Sequence, residues 1–348
     1  LMAGNLVGAF VGGAFFLYAS WNFDLAEMGR YSVAISIQWV VVGLLGSGLS
    51  TATVRLAAGH LKKGDRDAAA NTVLGALAVV VLIGAVVVAL LLLFDRLLAG
   101  EGYLSGRFLA LVALWAVARA IHDITRSGLL AQQKYTDAAR ITILSAFTGA
   151  CALFIVWKLG DLTFGRLLAA HVLGLGSAAI LGIFFLRDLG MKWGPGVLAT
   201  WPGLLRYARW PASSEGTRLL QANLGPLILV PMAGSAAAGL FGVARYPAYL
   251  FEVVAVSLYQ YWLPEASLEG KHGNSGGYLR KQMLLASVIG LAMVLGAAIC
   301  SPLLPLLGDN FAAAAPLFLL TAVDFAVFLL TRPIESVFHG LRKPHLEL

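Results

Sequence analysis

Residues 72–94 read TVLGALAVVVLIGAVVVALLLLF, 23 positions without one charged side chain. A helix that crosses the hydrocarbon core of a bilayer needs about 20 such residues. In water this helix would have to be wrapped on all sides, and the chain has little to wrap it with. Only 12% of its residues are charged, against about 25% in a soluble domain. The hydrophobic share is 59% and the mean hydropathy +0.82. A chain of 348 residues cannot build a water-soluble surface from so little charge. The pattern predicts an all-α, polytopic membrane protein.

A sliding window of about 19 residues predicts ten spans, at 2–20, 28–51, 72–94, 107–129, 138–158, 162–186, 204–231, 238–263, 282–306 and 311–331. Seventeen of the 25 Lys and Arg residues then fall on one side, Lys62, Lys63, Arg66, Arg126, Lys134, Arg187 and Arg332 among them. Five fall on the other, and Arg119, Arg218 and Arg245 are left inside spans. Cytoplasmic loops carry the excess of Lys and Arg, so the N-terminus is expected in the cytoplasm. The net charge of +7 is explained by this asymmetry and gives no reason to expect a nucleic-acid partner. No connection exceeds roughly 20 residues, which leaves no room for a soluble catalytic domain between spans.

Cys151 and Cys300 each lie in an apolar run and read as small buried hydrophobes, with no metal site. The chain opens at Leu1 inside an apolar run, without the basic start of a signal peptide, and it closes on RKPHLEL without a final span. It reads as clipped at both ends.

A duplication is legible. Shifted by 210 residues, Gly29 meets Gly239, Val33 meets Val243, Ala34 meets Ala244, Ser47 meets Ser257 and Tyr31 meets Phe241. Shifted by 209, Ser127 meets Ser336 and Lys134 meets Lys343. Six spans separate the copies, so both halves keep one orientation. The expected plan is a six-helix lobe over 1–190, a cytoplasmic loop over 191–203 rich in Gly, Pro and Trp, and a second lobe over 204–348. That lobe holds four of six expected helices, with two further spans expected after Leu348. Gly8-x3-Gly12 and Gly43-x3-Ser47 suggest close helix packing.

The stretch FDLAEMGRYSVAISIQWVVVGLLGSGLSTATVRLAAGHLKKGDRDAA, with its turn, Gly-x-Tyr start, small-residue helix and basic amphipathic loop, resembles a known family. So do AGSAAAGLFGVARYPAYLFEVVAVSLYQYWLPEAS and the junction GLLAQQKYTDAARITILSAF. The resemblance is to the multidrug/oligosaccharidyl-lipid/polysaccharide (MOP) exporter superfamily, in its polysaccharide (O-antigen-type) flippase branch. It implies two six-helix lobes around a central cavity. It further implies movement of undecaprenyl-diphosphate-linked oligosaccharide across a bacterial inner membrane, in lipopolysaccharide or other polysaccharide biosynthesis. Partners would be that lipid-linked oligosaccharide, membrane lipids, and a glycan polymerase or glycosyltransferase.

The charges inside spans are the candidate site. A charge at the bilayer centre costs at least about 2.5–3.5 kcal/mol on insertion scales and is kept where it meets protein or water. Arg245, Tyr249 and Glu252 share one helix face, with Pro247 between them. They read as a polar stripe lining a cavity or as an ion pair joining helices. Glu215 and Arg218 can pair at i,i+3, and Gln221 follows on the same face, with Pro211 and Pro226 as bend points. They read as a carrier's charged stripe or as a polar helix end. Arg119, His122, Asp123 and Arg126 also share a face. They read as a cavity wall or proton-responsive cluster, or as groups snorkelling to the interface. His171 and Asp324 stand alone in their spans and read as locally satisfied.

A diphosphate is anionic and rich in acceptor oxygens, and Arg forks grip such oxygens in pairs. Arg119, Arg218 and Arg245 are therefore the candidate diphosphate ligands. Gln221, Asn223, Tyr246 and Tyr249 are candidates for sugar contact. A coupling ion, H+ or Na+, would need a carboxylate within a span, and Asp123, Glu215, Glu252 and Asp324 are the candidates. No cofactor is expected, and no catalytic motif such as a Walker loop, H-E-x-x-H, C-x-x-C or G-x-S-x-G is present. A drug/cation antiporter of the same superfamily is the alternative and would favour acidic cavity residues. A membrane-embedded glycan polymerase or glycosyltransferase would need a large outer loop, which the sequence lacks.

Overall fold

The computed structural model describes residues 2–97, 106–158, 160, 163–271, 275–307 and 309–340, and they are overwhelmingly helical. In chain order the helices are α1 (Met2–Asn22), α2 (Leu25–Val42), α3 (Gly48–Lys62), α4 (Arg66–Leu97), α5 (Gly106–Ala131) and α6 (Tyr135–Lys158). Then come α7 (Phe164–Phe185), α8 (Pro195–Ala199), α9 (Trp201–Ala233), α10 (Ser235–Lys271), α11 (Ser275–Cys300) and α12 (Asp309–Gly340). A π-helical turn over Gly43–Ser47 joins α2 to α3 without a break.

Over the described residues, all ten expected positions are helical. Among the described residues, eight helices are long and apolar enough to cross a membrane. Trp201–Ala233 is not among them, because Arg206, Arg209, Glu215, Arg218 and three internal prolines dilute its apolar run. Met2–Asn22, whose first side chains lie outside the described residues, is not among them either. The exposed face of the spans is apolar. On α11 the exposed residues Leu284, Val288, Leu291, Leu295 and Ile299 form one stripe, while Ala286, Met293 and Ala297 turn inward. On helices long and apolar enough to cross a membrane, such a stripe is suited to lipid rather than water. The chain is a multi-pass membrane protein.

Helix ends differ from the sequence reading. The basic loop expected after residue 51 is helix to Lys62, closed by a turn in which Gly64 takes φ +78°. Asp65 then caps α4, its carboxylate accepting from the Ala68 N–H at 2.9 Å. The 191–203 stretch, expected to be a loop, contains α8 and the first residues of α9. Asp24 caps α2 through the Glu27 N–H at 2.7 Å.

The chain packs into two compact units, one of Leu1–Asn22 with Gly29–Ala238 and one of Phe23–Met28 with Gly239–Leu348. The expected lobe boundary rests on the repeat, this division on packing, and α9 packs with the first unit. In that unit Leu49, Val73, Val80, Ile124, Leu129, Ile141 and Leu204 belong to one core. A β-carbon on Gly174 of α7 would sit 2.8 Å from Gly149 Cα of α6. The two backbones meet there, and Thr148 Oγ1 donates to the Gly174 carbonyl at 3.1 Å. Gly48 seats α3 against the Ala208 carbonyl of α9, which a β-carbon would approach to 2.4 Å. Gly43 meets α9 as expected of a packing glycine, but a β-carbon on Gly8 would touch nothing within 4 Å. In the second unit Trp262 is fully buried beside Ala255, Ala286, Met293 and Leu329, and its carbonyl accepts from the Tyr278 hydroxyl at 2.8 Å. The two cysteines, expected to be buried, are exposed on the apolar surface.

Several residues matched by the repeat occupy matched environments, although Tyr31 is buried and Phe241 only half-buried. Gly29 and Gly239, Val33 and Val243, and Ala34 and Ala244 are all buried. Ser47 and Ser257 each bond the carbonyl four residues back, at 2.6 and 2.7 Å. Ser127 and Ser336 are buried at 6% and 0% exposure. Lys343 lies outside the described residues.

Candidate functional site

The first unit assembles the α5 cluster. Arg119 Nε donates to both carboxylate oxygens of Asp123, at 3.3 and 3.1 Å. The Arg119 guanidinium carbon lies 4.9 Å from the centroid of the Trp39 ring on α2. His122 Nδ1 is 3.2 Å from Asp123 Oδ1. The i,i+4 spacing makes the Arg–Asp pair local, and the ring fixes the plane of the guanidinium. A third of the Arg119 side chain stays exposed, so a further anion can reach it. Asp123 is engaged by two partners, Arg119 and His122.

On α9, Arg218 is half-buried. Asn223 spends its amide on its own helix, with Nδ2 donating to the Leu219 carbonyl at 2.8 Å. Gln221 is exposed. The Glu215 side chain lies outside the described residues, and with it the expected Glu215–Arg218 pair.

The second unit assembles the α10 stripe. The Arg245 guanidinium carbon lies 5.6 Å from the centroid of Phe325 on α12. Glu252 and Asp324 are the carboxylates near enough for their charge to act on it. Tyr246 and Tyr249 stand with ring centroids 6.4 Å apart. Arg245, Tyr249 and Glu252 lie on one continuous helix at the spacing that gives them a common face, and Asp324 comes near from α12. Asp324, expected to be satisfied locally, is exposed.

Two arrangements were missed. Arg332, counted above with the cytoplasmic cations, is buried in α12. It pairs with Glu335, and its guanidinium carbon lies 3.8 Å from the Phe328 ring centroid and 5.4 Å from that of Tyr259 on α10. The Arg-x-x-Glu spacing in an apolar run was the available signal. His171 is locally satisfied, as expected, but by distant partners. It stacks between Phe15 and Trp115, with centroids at 4.2 and 4.3 Å, and Nε2 meets the Tyr31 hydroxyl at 2.7 Å.

Comparison with solved structures settles the architecture. A multidrug resistance MATE family transporter of the MOP superfamily, in an inward-facing conformation, matches at TM-score 0.77 and 14% identity, over 99% of this chain and 82% of that one. The chain shares the fold of that transporter. A MOP superfamily transporter from Pyrococcus furiosus matches at TM-score 0.68 and 15% identity, over 99% of this chain and 81% of that one. Lipid II flippase MurJ, in an inward closed conformation, matches at TM-score 0.73 and 14% identity, over 99% of this chain and 76% of that one. No family model matches the chain, and no curated protein matches it. On this fold the α5 cluster sets a guanidinium within a membrane helix, braced by an aromatic ring and a carboxylate, and the α10 stripe sets one against an aromatic ring.

Proposed function

We propose that the chain is a flippase that carries an undecaprenyl-diphosphate-linked oligosaccharide across a bacterial inner membrane by alternating access. The observation that carries this reading is Arg119. Its guanidinium is fixed over Trp39 and on Asp123, yet a third of the side chain stays exposed. A preorganised, partly exposed guanidinium at membrane depth is suited to a diphosphate, whose acceptor oxygens it can meet from its exposed side. Arg218 and Arg245 are the further head-group ligands, and Tyr246, Tyr249, Gln221 and Asn223 are the polar and aromatic groups offered to sugars. The lipid tail stays in the bilayer. The likeness to a lipid II flippase is consistent with a lipid-linked cargo.

A second reading, an ion-coupled drug/cation antiporter, is favoured by a different observation. Asp324 is exposed, and Glu252 and Asp324 both act on Arg245. A cationic drug or a coupling H+ or Na+ would meet those carboxylates.

The full-length gene, in cells lacking their own flippase, separates the two. Arg119→Ala, Arg218→Ala and Arg245→Ala are made singly, and surface glycan is measured together with inner-leaflet precursor. Lost glycan with accumulated precursor, at normal protein level, is the expected result. Unchanged glycan, with drug resistance lost in Asp324→Asn, would replace the flippase reading by the antiporter.

A further inference from the structure

Three turns of the first unit gather at one of its ends. They are the turn before α4, the Gln132–Lys134 turn between α5 and α6, and the short 3-10 turn Arg187–Leu189 after α7. Lys134 Nζ donates to Asp188 Oδ2 at 2.9 Å, which ties the second turn to the third. Arg187 Nε lies 3.9 Å from Asp188 Oδ1. Arg66, the first residue of α4, is close enough for its charge to act on the same carboxylate. Three cations therefore converge on one carboxylate, which is 67% exposed.

The neighbouring acids do not cancel this surplus. Asp65 is turned to the α4 N-terminus as its cap. Asp137 is held by Arg140 at 2.9 Å. Asp67 is exposed in the first turn of α4, and exposed Lys62, Lys63 and Lys192 outnumber it. An anion brought to this end meets an excess of positive charge in all three turns.

An apolar track leads to the same place. Leu173, Ile180 and Phe184 of α7 are 63%, 70% and 52% exposed. Their spacing of seven and four puts them on one face of the helix. The track ends at Arg187, whose guanidinium carbon lies 4.4 Å from the Phe184 ring centroid. Trp193, 68% exposed beside Lys192, supplies an aromatic group of the kind that settles at headgroup level. An apolar track closed by a cationic cluster has the shape and polarity of a phospholipid. A zwitterionic headgroup would bring its own ammonium against these cations, and an anionic one would not.

We propose that this end of the first unit holds an anionic glycerophospholipid, its phosphate among Arg66, Lys134 and Arg187 and one acyl chain along Leu173, Ile180 and Phe184. The source is the leaflet itself. Free phosphate lacks the chain, and exposed cations shared with a carboxylate hold a small anion weakly in water.

The full chain in nanodiscs of equimolar phosphatidylglycerol and phosphatidylcholine tests this by native mass spectrometry. The released protein is expected to retain phosphatidylglycerol several-fold over phosphatidylcholine. Arg66→Gln with Arg187→Gln is expected to abolish that preference. Asp188→Asn, which removes the competing carboxylate, is expected to increase it, an outcome that misfolding would not produce. Millimolar inorganic phosphate is expected to displace nothing. Equal retention of the two lipids, an unchanged preference in the arginine variant, a fall in Asp188→Asn or displacement by phosphate would each overturn the site. None of these readouts depends on transport.

Discussion

The guanidinium of Arg332 lies over the ring of Phe328, one turn earlier on α12, with 3.8 Å between its central carbon and the ring centroid. Glu335 closes the other side. The same logic holds Arg119 between Trp39 and Asp123. A positional link joins the two, because Arg332 stands where the 209-residue shift places the counterpart of Asp123. Each unit thus braces a charge on the helix of its fourth span, and the shift sets Arg332 opposite Asp123 and Glu335 opposite Arg126.

Breaking the Arg332–Glu335 pair from one side is expected to destabilise the second unit. Arg332→Gln leaves Glu335, 30% exposed, without its cation. Loss of one partner of a buried pair costs about 3–5 kcal/mol, and the partial exposure points to the lower end. Detergent-solubilised protein should melt several degrees lower. The double variant Arg332→Met with Glu335→Gln should recover part of the loss, because no charge is then left unpaired.

Arg119→Lys tests whether planarity matters or charge alone. Lysine keeps the charge but not the fork that meets both Asp123 oxygens, nor the flat stack on Trp39. Cation–π contacts contribute about 0.5–2 kcal/mol. Glycan export under the flippase reading should fall roughly tenfold, at 1.4 kcal/mol per decade. Wild-type export in Arg119→Lys would mean that the site needs only a point charge.

Local pairs were legible in the sequence and distant ones were not. Arg119 with Asp123, and the shared face of Arg245, Tyr249 and Glu252, follow from helical spacing alone. The ten helix positions follow from the apolar runs. Helix ends were misplaced at α3 and α10, because a helix leaving the membrane keeps its hydrogen bonds while its side chains become charged. Arg332 was sorted with the loops for a related reason. A charge near the end of an apolar run looks solvated until Phe328 and Tyr259 are seen around it. The His171 partners lie 140 residues away at Tyr31 and elsewhere on α1 and α5. No periodicity brings such residues together.

That distant contact supports a double-mutant cycle. Tyr31 is fully buried, so Tyr31→Phe leaves His171 Nε2 without its hydroxyl. An unmet buried polar group costs about 1–3 kcal/mol. His171→Phe with Tyr31→Phe removes both polar groups and keeps the stack between Phe15 and Trp115. The double variant should therefore be less destabilised than the sum of the two single ones, as read by thermal unfolding.

At the α6–α7 crossing the backbone itself is the packing surface. Gly174→Ala places a methyl group 2.8 Å from Gly149 Cα, a distance that real β-carbons do not tolerate. The helices must separate, and the Thr148 bond to the Gly174 carbonyl lengthens with them. Overpacking of this kind costs about 1–3 kcal/mol. Ser177→Ala, which loses the 3.0 Å contacts of its hydroxyl with Thr148 Oγ1 and the Gly174 carbonyl but adds no bulk, should cost less, about 1 kcal/mol. Equal melting of the two variants would show that the crossing has slack.

Arg55 and Tyr207 join α3 to α9 in two ways that can be separated. Arg55 Nη1 donates to the Tyr207 hydroxyl at 2.7 Å, and its guanidinium carbon lies 4.9 Å from the ring centroid. The pair sits near the Gly48–Ala208 approach, where the two backbones are closest. Tyr207→Phe removes the hydrogen bond and keeps the ring; Tyr207→Leu removes both. If the ring carries the contact, Tyr207→Phe should exchange α9 amides at the wild-type rate and Tyr207→Leu should exchange them faster. If the hydroxyl carries it, the two variants should exchange alike. Because α9 holds Arg218, a loosened α9 should also lower export under the flippase reading, in the same order as the exchange rates.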